Sequence, residues 1–123
     1  MTGKEYYRLA MRTNDGNGSL SLKKAMSKTN IDVGGLLNGC LGLAGESGEF
    51  NDMIKKWIFH EKPLDMEHAK KELGDCLWYV AAICKAFDWD LDEIMQMNID
   101  KLLARYPEGF SVERANNRKE GDV

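Results

Sequence analysis

The stretch LGLAGESGEF, residues 41–50, sets three glycines and two glutamates inside an otherwise apolar run. Each glycine costs a helix interior roughly 0.5–1 kcal/mol relative to alanine. A helix written this way gives up propensity for something else. Around it Leu, Met, Ala, Lys and Glu dominate, while Val, Ile and Thr are sparse. That composition predicts an all-α chain.

Helix boundaries follow from local signals on either side. The glycine-bearing helix is expected over about residues 35–59, stopping before Pro63. Asp65 is a good N-cap, with His68 at the third helical position, for a helix running to about Phe87. A further helix is expected over 90–105, with Asp90 and Glu93 forming a capping box and Tyr106-Pro107-Glu108-Gly109 marking its end. Upstream, a helix over 3–12, a turn at 14–19 and a short helix over 20–26 complete the pattern. The reading is one helical domain over 1–115 and a polar tail, 116–123, expected to be disordered.

The acids are placed by helical geometry. At 100° per residue with Glu46 at zero, Leu36, Cys40, Leu43, Phe50, Ile54 and Trp57 fall between about 20° and 120°. Glu49 lies near 300° on the same wheel, so both glutamates border the apolar stripe instead of facing away from it. The next helix repeats the arrangement. With Glu72 at zero, Ala69, Leu73, Cys76, Val80, Ile83 and Phe87 span about 20° to 100°, Tyr79 lies near 340° and Asp75 near 300°. Antiparallel packing of the two helices would gather four carboxylates. Their mutual repulsion calls for a hard divalent cation such as Mg²⁺, which takes oxygen ligands and keeps positions for water and phosphate. One such pair alone would read more simply as salt-bridged to Lys56, Lys70 or Lys71; two matched pairs favour the metal. Gly42, Gly45, Gly48 and Gly74 then leave room for a helix or a ligand beside the acids. Asn98 and Lys101, one turn apart on the last long helix, could form a satisfied core polar pair, but beside a magnesium cluster they suit contacts to phosphate or base.

Composition sets outer bounds. The chain has 123 residues, 43% hydrophobic, enough for one domain with a core. A net charge of −3 offers no general attraction to a nucleic acid polymer. No apolar run spans a bilayer, and the N-terminal segment lacks the apolar stretch of a signal peptide. Cys40, Cys76 and Cys84 sit on apolar positions without CxxC spacing, which predicts reduced, buried thiols and a cytoplasmic setting.

Three segments, GLAGESGEF, KKELGDCLWYVAAI and NIDKLLARYPEGFS, resemble the MazG-like all-α nucleoside triphosphate pyrophosphohydrolases. The resemblance covers most of the chain and places its motifs in order on helices. It implies an antiparallel helical bundle completed by oligomerisation, as a dimer or a dimer of dimers. It also implies hydrolysis of an NTP or dNTP to the monophosphate and pyrophosphate, with Mg²⁺ as cofactor and Mn²⁺ able to substitute. By resemblance, Glu46, Glu49, Glu72 and Asp75 match the metal ligands, and Asn98 and Lys101 match a substrate-contacting pair. Glu46 or Glu49 would accept the proton of the attacking water, and Lys56 with Lys101 would stabilise the leaving pyrophosphate. Trp57 and Tyr79 are candidates for stacking on the base, although aromatics at helical spacing commonly serve the core. Gly45 stands where many relatives carry a further glutamate, which leaves the number of ions open.

Two other metal-site readings fit less well. A di-iron bundle needs Glu-x-x-His pairs, and neither His60 nor His68 follows a glutamate at that spacing. His68 reads instead as a capping or surface residue. Asp88, Asp90 and Asp92 suggest a calcium loop, but its sixth and twelfth positions are Glu93 and Ile99. The remaining alternative is a non-catalytic or differently metallated helical module.

Overall fold

The computed structural model describes residues 1–122. Six α-helices follow one another: α1 Gly3–Ala10, α2 Gly18–Lys28, α3 Val33–Phe59, α4 Met66–Phe87, α5 Leu91–Arg105 and α6 Val112–Asn116, with a 3-10 turn at Met11–Thr13. Among the described residues there is no β-strand, only an isolated bridge between Pro107 and Gly109. The expected all-α class holds.

Each of five helix starts is closed by a polar side chain. Thr2 and Glu5 form a reciprocal capping box on α1. The N–H of Gly35 donates to Asp32 Oδ1 at 3.0 Å, and that of His68 to Asp65 Oδ1 at 3.0 Å. Ser111 Oγ accepts from Arg114 at the start of α6. Such caps satisfy amides that have no partner inside the helix. At α5 the sequence expectation needs correction: Asp90 Oδ1 accepts from the Asp92 N–H at 2.9 Å, and the reciprocal arm from Glu93 is not formed. The helix at α2 is also longer than expected. α4 ends with Asp88 in the left-handed region (φ 58°), while the Trp89 N–H reaches back to the Cys84 carbonyl.

Packing is concentrated in one antiparallel hairpin, α3 against α4. The Asp32 N–H donates to the Ala86 carbonyl at 3.1 Å, tying the start of α3 to the end of α4. A Cβ on Gly39 would lie 2.7 Å from Ile83 Cγ1, and one on Gly42 would overlap the Tyr79 ring. Further along, Ser47 Oγ faces Cys76 Sγ at 3.8 Å. The glycines at 39 and 42 thus let the two backbones approach, the use that small residues have at helix crossings.

Little else is enclosed. Among the described residues, Cys84 and Ala86 are the buried apolar side chains. Cys40 is exposed, correcting the expectation of three buried thiols, because no other helix covers that part of α3. Trp57 and Leu73, placed in the apolar stripes by their spacing, are 49% and 50% exposed for the same reason. The chain beyond α6 turns back on α5: Arg105 Nε donates to Asp122 Oδ2 at 2.7 Å, and Nη2 donates to Oδ1. Val123, the last residue of the tail expected to be disordered, lies outside the described residues.

Candidate metal and nucleotide site

The hairpin register brings Glu46 of α3 opposite Glu72 and Asp75 of α4. One carboxylate oxygen from each lies within 4.8 Å of the other two. Glu72 is buried at 8% exposure, and among the described residues its Oε2 has no hydrogen-bond partner. A buried carboxylate oxygen without a donor costs roughly 1–3 kcal/mol or more, so its position calls for a ligand. All three donors are hard oxygens, the set that Mg²⁺ and Mn²⁺ take. The residues present fit a divalent cation.

Electrostatics agree with the geometry. The Glu46 carboxyl is held above its ordinary value by desolvation first, then by Glu49, by contact with Glu72, and by the charge of Asp75. The neighbours that raise the Glu46 carboxyl are all acidic. Lys56, in the cavity wall beside the acids, is paired with Asp52: its Nζ is 2.5 Å from that carboxylate, which Lys55 also approaches at 3.2 Å. Those two lysines hold the Asp52 carboxyl below its ordinary value, Lys56 contributing most.

A cavity of about 550 Å³ opens beside the trio. Gly45, Gly48, Glu49, Lys56, His68 and Glu72 are among the residues lining it. Neither Gly45 nor Gly48 has any atom near the position of a Cβ, so their role differs from that of Gly39 and Gly42: they keep the cavity wall bare. Glu49 faces this cavity without joining the three clustered oxygens.

The chain belongs to the MazG family. The model of the MazG nucleotide pyrophosphohydrolase domain matches residues 37–110, which takes in most of α3, all of α4 and α5, and the clustered acids with Glu49. The Gene 37 protein of Mycobacterium phage L5 is 31% identical over 90 residues, a match that covers 70% of this chain and 79% of that relative. No solved structure matches significantly.

Within this MazG-family chain, the residues expected at the site separate into three groups. Glu46, Glu72 and Asp75 come together, and Glu49 and Lys56 stand in the adjoining cavity wall. Tyr79 is used in the helix seam, where its ring covers Gly42 and meets Trp78 edge-on at 5.0 Å. Trp57, Asn98 and Lys101 do not line the cavity; Asn98 is exposed on α5, and Lys101 borders a separate hollow with Arg105, Arg114 and Arg118. Sequence reasoning missed the ring of His68, whose Nε2 lies 2.6 Å from Glu72 Oε1. The signal was present in the spacing: His68 precedes Glu72 by four residues, one turn of the same helix face.

Proposed function

We propose that the protein is a divalent-metal-dependent pyrophosphohydrolase acting on a nucleoside triphosphate, NTP or dNTP, releasing the monophosphate and pyrophosphate. The observation that carries this reading is the buried Glu72 carboxylate, its Oε2 unpartnered, gathered with Glu46 and Asp75 beside an open cavity. Glu46, Glu72 and Asp75 hold Mg²⁺, with Mn²⁺ as a substitute. When bound, the ion neutralises the phosphate chain and makes water a stronger acid. Glu49, in the cavity wall but outside the trio, accepts the proton of the attacking water at its carboxylate. Lys56, on the same wall, meets the charge of the phosphate chain by exchanging Asp52 for it.

Asn98 and Lys101 complete the substrate site from a second copy of the chain. Both lie outside the cavity of their own protomer, on a helix that packs little against the hairpin. A homodimer or a dimer of dimers brings that helix over the cavity.

A panel of NTPs and dNTPs incubated with magnesium, with products separated by chromatography, tests the reaction. Monophosphate and pyrophosphate are expected. Nucleoside diphosphate and orthophosphate would assign a different reaction, and inertness toward the whole panel would leave the cluster as a binding module.

A further inference from the structure

We infer that His68 is a positioning residue that aims Glu72 at the metal, an inference that rests on the three acids holding a divalent cation. Asp65 Oδ1 accepts the His68 N–H, which fixes the first turn of α4 and the direction in which the ring leaves it. One turn on, His68 Nε2 lies 2.6 Å from Glu72 Oε1. A carboxylate can only accept, so Nε2 carries the hydrogen and donates it. Oε1 is thereby committed, and Oε2 is left as the buried, unpartnered atom of the carboxylate that gathers with Glu46 and Asp75.

The division of labour between the two oxygens has a physical consequence. With three carboxylates at this range, the lowest-energy response of an untethered Glu72 is to swing away from Glu46 and Asp75. The His68 hydrogen bond opposes that swing and selects one-oxygen ligation, leaving room on the ion for phosphate. Partners that orient a metal's carboxylate ligands typically contribute 10–100-fold to metal affinity. His68 also lines the cavity, with its side chain 56% exposed, so its removal does not open a hole in the fold.

The test uses Mn²⁺ binding to the full-length protein, followed by the loss of its free-ion paramagnetic signal, at one fixed pH near neutrality. His68→Ala and His68→Phe should weaken binding by about 10–100-fold. His68→Gln, whose side-chain amide can donate across the same helical turn, should recover most of the loss. Circular dichroism should be unchanged in all three. Wild-type affinity in the alanine and phenylalanine variants would overturn the inference, as would a glutamine variant no better than phenylalanine. Glu72→Gln separates this from the parent reading: wild-type Mn²⁺ affinity in that variant would remove Glu72 from the site, whereas its loss with His68→Ala unaffected would remove only the role of His68.

Discussion

Glu46 stands where desolvation and the charges of Glu49, Asp75 and Glu72 all act against its ionisation, and its carboxyl is held above the ordinary 4.5. A carboxyl raised by folding favours the fold below its unfolded value, and that contribution is lost as pH rises through the folded value. Near neutrality the ionised group therefore works against the fold until a cation offsets it. Glu46→Gln should melt higher than wild type in chelator and lose the upward shift that magnesium gives wild type. A Glu46→Gln variant that keeps the full magnesium shift of wild type would take Glu46 out of the cluster. Its neighbours should split by role: Asp75→Asn should lose Mn²⁺ binding, whereas Glu49→Gln should bind Mn²⁺ and lose about 100–10,000-fold in turnover. Turnover in Glu49→Gln close to wild type would pass the base role elsewhere. At this scale the acids were legible because a helix repeats every 3.6 residues and both pairs border an apolar stripe. The separation of Glu49 from the other three was not, since a helical wheel gives direction and omits depth. His68 was read as a cap from its main-chain position, and its N–H does meet Asp65, while its ring does something the cap signal does not report.

The helices were legible where punctuation is strong. Asp65 closes a real helix start, and α4 runs to Phe87 as expected, whereas the Asp32 cap that starts α3 two residues before the expected boundary went unread. Glycine was harder to read, because one residue type serves two purposes within a single helix. Gly39→Ala and Gly42→Ala drive a methyl into Ile83 and Tyr79 and should cost about 1–3 kcal/mol in urea denaturation. Gly74→Ala meets open space in a helix and should stabilise by roughly 0.5–1 kcal/mol. Gly45→Ala and Gly48→Ala should stabilise similarly while impairing turnover, since their methyls would enter the cavity. Destabilisation by all five would mean that the hairpin packs differently from this description. The contact between Arg105 and Asp122 adds a pH dependence at the far end of the chain. Arg105 holds the Asp122 carboxyl below its ordinary 3.8. Its contribution is present above that value and lost as pH falls through the lowered one, and Asp122→Asn should remove it at every pH. Thermal melts of the two proteins from neutral to strongly acidic pH should converge at the acid end.

A folded monomer of 13.9 kDa exposes about 6,700 Å² on average, whereas this chain alone exposes 10,379 Å². Obligate homodimers bury 2,000–5,000 Å² or more, so a partner copy is a solution of the right size. The surface in question is apolar: Leu77 and Trp78 on α4 are 69% and 61% exposed, and Leu103 on α5 is 61% exposed. Spacing alone marked these residues as helical and could not say which chain covers them. Sedimentation at low micromolar concentration should show a dimer or larger and no folded monomer; a compact, active monomer would end the argument for a shared bundle. Complementation asks the sharper question of which chain supplies Lys101. Lys101→Ala and Asp75→Asn should each be inactive alone. Mixed and reassembled, half of the dimers carry one variant of each kind, and one of the two sites in such a dimer then has intact acids from one chain and an intact lysine from the other. About a quarter of wild-type turnover should return. If acids and lysine came from the same chain, every site in the mixture would remain defective in one or the other, and no activity would reappear.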